Sequence, residues 1–271
     1  MTLKTRNVFT LVFSAFFLAL SAAAVLYFAF KLNFASPESA VFGKSLSFGG
    51  FSLFSESATT IVFAAFCMAL YIPAASFYIY ARFEKTPSNE TAYFILFLLG
   101  CVPELLKLCV ALETAANNYP DILIFAGRAL FWGRLLCFSS LFAASLMAAQ
   151  SMKLNAEQNI FVIFLFSMAI ASIAPINTTQ ISSAFYIQTG WSGFLRFYYV
   201  LAAVLTAVTY IVKAQASENS ICLKLSVFVL MMEAGLLILN STGILAAAIV
   251  GAVFLVAGTF SYFNNLHSLY N

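Results

Sequence analysis

The sequence predicts an all-α fold, a polytopic transmembrane bundle of about eight helices. Its composition is the first reason: 63% of residues are hydrophobic and 8% charged, whereas a soluble domain carries about 25% charged residues. The second is spacing. Apolar runs of the length needed to cross a hydrocarbon core, about 20 residues of helix each, recur through all 271 residues. They leave no stretch for a separate soluble domain, so 1–271 reads as a single transmembrane domain.

The uninterrupted windows and the polar breaks between them put helices at 8–30, 58–81, 92–116, 122–149, 158–176, 192–214, 221–240 and 242–263. The first window has a second reading. Lys4 and Arg6, an apolar core and the small-residue run Ser21-Ala22-Ala23-Ala24 also fit a signal peptide, and cleavage of 1–24 would leave seven helices. The apolar run continues through Val25, Leu26, Tyr27 and Phe28 to full spanning length, which favours a retained helix.

Basic residues in short loops mark the cytoplasmic face. With eight alternating spans, Lys4, Arg6, Arg82, Lys85, Lys153 and Lys213 share one face. The other has Lys31, Lys44 and Arg196, together with Glu38, Glu56, Glu113 and Asp121. Both termini are therefore expected in the cytoplasm and the chain in an inner (plasma) membrane, with the lipid bilayer as its first partner. The net charge of +3 comes from dispersed residues. No basic run tracks phosphates, so nucleic acid is not an expected partner.

Two connections are long, both on the outer side. In the first, Lys44-Ser45-Leu46-Ser47-Phe48-Gly49-Gly50-Phe51-Ser52-Leu53-Phe54 alternates around a Gly-Gly pair. That is the signal of a small extracytoplasmic β-hairpin at 44–55, a candidate lid, with an irregular interfacial loop as the alternative. The second, from Pro175 to Ser192, is polar but uncharged. In the last helix Gly243, Ala247 and Gly251 repeat every four residues. Such a face serves close packing, within the bundle or in self-association or contact with a membrane-protein partner.

Six ionisable residues lie inside the spans: Glu104, Lys107 and Glu113 in the third, Arg128 and Arg134 in the fourth, and Glu233 in the seventh. A charge near the bilayer centre costs at least about 2.5 kcal/mol, so such groups find partners. Helices three and four are joined by a short turn and pack antiparallel. Counted inward from that turn, Glu104 and Arg134 are both roughly 20 Å deep, Lys107 about 15 Å, Arg128 about 10 Å and Glu113 about 6 Å. The expected pairs are Glu104 with Arg134 and Glu113 with Arg128. Lys107 shares the Glu104 face and is a candidate partner for Glu233. Pro103 kinks the third helix and frees the carbonyl of Leu99 as an acceptor. Such a cluster serves either as a clamp between helices or as the coupling site of a transporter.

Catalysis is not expected. The one histidine, His267, falls in the short tail after the last span, Asp121 is the one aspartate, and HExxH, GxSxG and phosphate-binding glycine loops are lacking. The five cysteines lie in apolar spans as packing residues, so neither a metal, a cofactor nor a disulfide is expected.

Two stretches, Phe83-Glu84-Lys85-Thr86-Pro87-Ser88-Asn89-Glu90 and Gly127-Arg128-Ala129-Leu130-Phe131-Trp132-Gly133-Arg134, resemble uncharacterised polytopic bacterial membrane proteins, spirochaete ones among them. The resemblance covers mainly helices two to four and implies no activity. In helix count the chain is similar to the seven- and eight-helix membrane input modules of bacterial sensors. Those continue into kinase or cyclase domains, and this sequence does not. The expected function is a non-enzymatic sensor or membrane-complex component with a buried ion-pair core. The alternative is a small-solute or ion transporter built on Glu104, Lys107 and Arg134.

Overall fold

A computed structural model describes residues 3–34, 58–86, 88–110, 120–149, 156–181 and 187–270. Within them the chain forms α1 (Leu3–Phe34), α2 (Ala58–Phe83), α3 (Glu90–Cys101), α4 (Pro120–Ala149), α5 (Ala156–Ile173), β1 (Ile176–Ile181), β2 (Ile187–Thr189), α6 (Ser192–Ser217), α7 (Ser220–Ser241) and α8 (Leu245–Tyr270). Beyond Cys101 the third helix tightens into a 3-10 turn, Val102–Leu105, and resumes as α-helix over 106–110. Among the described residues eight helices are long and apolar enough to cross a membrane, as expected.

The boundaries differ at the two ends of the chain. α1 begins at Leu3, because Arg6, read as a loop charge, is buried in contacts with the α2–α3 connection. α8 runs on to Tyr270, so His267 lies in a helix and not in a tail, its ring 5.6 Å from Phe83 and edge-on to it. The candidate hairpin at 44–55 falls outside the described residues. Among the described residues a two-stranded antiparallel sheet occurs in the second long connection, pairing Ile176 with Thr189 and Asn177 with Gln188, with an irregularity before Ile181 meets Ile187. Ile176 packs over Val110 and Ala126, which roofs the outer part of α3 and α4.

Two helix pairs form the centre. α3 and α4 cross at glycines: a Cβ on Gly100 would lie 2.7 Å from the carbonyl oxygen of Gly133, and one on Gly133 would lie 2.5 Å from that of Gly100. The backbones touch because neither residue has a side chain. Cys101 and Cys137 face each other just beside the crossing, their sulfurs 3.6 Å apart and unbonded. α7 and α8 meet in the same way through Gly235, Gly251 and Gly258. Gly251 of the small-residue face is thus turned against α7, where an added Cβ would meet the Leu239 nitrogen at 2.6 Å. The turn between α6 and α7 is Glu218-Asn219, with Glu218 left-handed at φ 51° and the Asn219 side chain accepting from the amide of Ile221 at 2.9 Å.

Around these pairs the remaining helices dock through aromatic rings and hydroxyls. Tyr71 of α2 bonds Thr259 of α8 at 2.8 Å, and Tyr210 of α6 bonds Tyr262 of α8 at 2.8 Å. Both termini lie at one end of the bundle, since Arg6 reaches the α2–α3 connection and Tyr270 reaches Glu90 at the start of α3.

The glycine crossing gives a direct test. Gly133→Ala forces a methyl into backbone and should cost about 1–3 kcal/mol in thermal unfolding of the purified protein. Gly193→Ala, where a Cβ meets nothing within 4 Å, should leave the transition in place.

Candidate functional site

Pro103 has no N–H to donate, and the helix around it answers with the 3-10 turn that carries Glu104. The carbonyl of Leu99, expected to be free, accepts instead from the backbone N–H of Val102, because tightening to i→i+3 bonding recruits it. One turn from the glycine crossing, Glu104 reaches α4. Its Oε1 is 2.8 Å from Nε of Arg134, and its Oε2 is 2.7 Å from Nζ of Lys107. The expected Glu104 and Arg134 pair is therefore formed, with Lys107 added to it.

The third helix of the cluster is α7. The backbone carbonyl of Asn240 accepts from Lys107 Nζ at 2.6 Å and from Arg134 Nη2 at 3.2 Å. Asn240 belongs to the last turn of α7, where carbonyls run out of intrahelical donors. Two cations at this end also meet the negative pole of the helix dipole, equivalent to about half an elementary charge. The cluster thus sets two bases against one acid and a helix C-terminus. Glu104 and Lys107 are each 3% exposed and Arg134 8%.

Of the other three predicted members, the two that the structure describes, Arg128 and Glu233, are not brought in. Glu113 lies outside the described residues. Arg128 is exposed. The reason is phase: six residues before Arg134, at 100° per residue, put it on a different face of α4 from the one that meets α3. Glu233 is buried in α7 but does not meet Lys107, whose ammonium is taken by Glu104 and Asn240. Seven residues, or about 10 Å of helix, separate Glu233 from Asn240.

A second polar assembly, at the end of the bundle that holds both termini, is absent from the sequence reading. The Arg6 guanidinium donates to the carbonyls of Phe83, Thr86 (2.5 Å) and Ser88 (3.2 Å), and so caps the C-terminus of α2. Asn7 donates to the carbonyl of Glu84 at 2.7 Å. Next to it Glu90, 2% exposed, opens α3 and accepts from Ser88 Oγ at 2.7 Å and from the Tyr270 hydroxyl at 2.7 Å. A carboxylate at a helix N-terminus is favoured by the dipole. The available signal was Ser88-Asn89-Glu90 at a helix start, a local acceptor and acid pattern. Arg6 offered none beyond its charge.

What these arrangements can do is hold helices together. The hydroxyls that meet a carboxylate in them, Ser88 and Tyr270 on Glu90, join the start of α3 to the end of α8, and among the described residues no three His, Cys, Asp or Glu side chains converge as a metal site would require. No family model matches the chain, and no curated protein matches it.

Removing one member of a buried ionic cluster leaves the others uncompensated. Arg134→Ala should destabilise the bundle by about 3–5 kcal/mol. A double-mutant cycle over Glu104→Gln and Arg134→Gln should return a coupling of about 0.5–3 kcal/mol. Additive losses would mean that the two side chains do not act as a unit.

Proposed function

We propose that this chain is a non-enzymatic multi-pass protein of a bacterial inner membrane, acting as a sensor or as a component of a membrane complex, with the Glu104, Lys107 and Arg134 cluster as the joint between its membrane bundle and an outer cap. The observation that carries this reading is the convergence of both cations on the end of α7. At 1.5 Å per residue α7 is about 33 Å long, enough alone for a core of about 30 Å. α4 is about 45 Å long. Arg134 meets the end of α7 fourteen residues after Pro120, so about 20 Å of α4 stands above that level.

The outer part of α3, the start of α4 and the β1–β2 hairpin form that cap, joined through Ile176, Val110 and Ala126. The charges then sit at the outer boundary of the membrane and not at its midplane, where their desolvation is cheaper. Any force on the cap reaches the bundle through the ion pairs. The side with Lys4, Arg82, Lys85, Lys153 and Lys213 is the cytoplasmic one, with both termini there.

The transporter reading requires water and substrate to reach Glu104. Against it stand the near-complete burial of the three side chains and the closed glycine crossing beside them. The small-residue pattern serves packing within the bundle: Gly243 and Gly251 are buried, Gly243 precedes α8, and Ala247 is half-buried.

Photo-crosslinkers at Asn177 and within residues 44–55 should give discrete adducts in cells, and Glu104→Gln should change their yield while the protein stays folded. Substrate-dependent flux into proteoliposomes, abolished by the same substitution, would replace the joint with a coupling site.

A further inference from the structure

Six charged side chains are buried among the described residues: Arg6, Glu90, Glu104, Lys107, Arg134 and Glu233. Five have partners given above. Glu233, 2% exposed, has none: neither carboxylate oxygen has a hydrogen bond or ion pair among the described residues. An ionised carboxylate cannot stay unpaired in an apolar interior without a large cost. It is satisfied either by a proton or by a small cation.

The surroundings favour the proton. Glu233 lies two helical turns after Ser226, whose hydroxyl donates to the Ala207 carbonyl of α6 at 3.3 Å, so this stripe of α7 is turned to α6. α6 and α7 run antiparallel about a two-residue turn, so the level of Glu233 on α6 is about seven residues before Ala207, where Tyr198 and Tyr199 stand. The Tyr198 hydroxyl forms a 2.7 Å bond with Ser139 of α4. Cys137 of α4 donates to the Phe97 carbonyl at 3.4 Å, and the Tyr71 hydroxyl of α2 is held by Thr259. Tyr199 of α6 is stacked on Phe138. α8 offers Leu255 against Gly235 and Gly258 against Met232, and no acid or base at this level. Above lie Lys107 and Arg134, already held by Glu104 and Asn240. A hard cation takes about six oxygen ligands; what stands near here is a pair of hydroxyls.

The hydroxyls also have an outlet. Ser139 and Tyr198 line a groove of about 460 Å³ between α4, α5 and α6, together with Tyr93, Asn159 and apolar side chains such as Phe142 and Phe166. We propose that Glu233 is a reversible proton-binding site inside the bundle, loaded through the Tyr198 and Ser139 hydroxyl pair from the groove between α4, α5 and α6. In loading, a hydronium ion in the groove gives a proton to one hydroxyl and leaves as water. Since neither Glu233 oxygen is hydrogen-bonded at rest among the described residues, rotation of the Tyr198 or Glu233 side chain brings the two within transfer distance; the hydroxyl passes a proton on and the carboxylate becomes a carboxylic acid. Unloading reverses each transfer. The site is separate from the ion-pair joint and does not rest on the function proposed above.

Infrared difference spectroscopy of the full chain in lipid nanodiscs, with 13C-labelled glutamate, tests this. The expected result is a carboxylic C=O band that rises as pH falls, shifts in D2O and disappears in Glu233→Gln. Tyr198→Phe should keep the band but slow its deuterium exchange at least severalfold. If Glu233→Gln does not fold, the labelled wild-type band and its Tyr198→Phe kinetics decide alone. A band indifferent to pH, exchange unchanged in Tyr198→Phe, or a carboxylate signal that moves with sodium or potassium and not with protons would each overturn the proposal.

Discussion

The contact between Gly100 and Gly133 is the constraint on which the centre of this bundle depends. Two helices whose backbones touch bring their flanking side chains together within reach of short groups, and Glu104 is short. Pro103 packs against the same glycine, its ring carbons 2.9 and 3.2 Å from where a Cβ on Gly133 would stand. The 3-10 turn at Pro103 follows from the missing N–H and sets the direction in which Glu104 leaves the helix. Arg134 is one residue past Gly133 and shares its level. The ion pair is therefore a consequence of the crossing, and α7 joins it by offering a carbonyl that its own helix cannot satisfy.

This ordering resolves the charge imbalance of the cluster. One acid beside two bases would be a poor arrangement in an apolar medium if the helix end were neutral. Asn240 supplies the missing negative character without a side-chain charge. At the other end of the bundle the logic is inverted: Arg6 meets the carbonyls that end α2, and Glu90 sits at the amides that begin α3. In both places side-chain charges complete helix termini, so the polar ends of the backbone and the buried charges stabilise each other.

The helices were legible because composition and window length need no tertiary knowledge, and the Glu104 and Arg134 pair because a short antiparallel connection lets depth be counted along one axis. Rotation about a helix is not legible from depth alone. Arg128 is exposed, on a different face of α4 from Arg134, and its expected partner Glu113 lies outside the described residues. Glu233 was assigned to Lys107 by charge balance, which ignores that a backbone carbonyl can compete for an ammonium. Arg6 reads as a topology marker and Glu90 draws no reading of its own, because loop charge counts side chains and not the backbone groups at helix ends. The β1–β2 pairing is not legible because the sequence between the strands, Ser182-Ser183-Ala184-Phe185-Tyr186, has no two-residue turn signal.

With both ends of the bundle closed by charges that complete helix termini, the middle is held by glycine contacts, aromatic rings and hydroxyl pairs such as Tyr210 with Tyr262. None of these can neutralise an acid. A carboxyl there must answer to its protonation state, whereas Glu90 and Glu104 answer to fixed donors. That separates the two kinds of buried charge in this chain by what a change of pH does to them. Protonating Glu104 removes the charge that Lys107 and Arg134 both meet, while protonating Glu233 removes a charge that no side chain among the described residues holds. The first is a structural cost; the second is a change of state that the surrounding packing can survive.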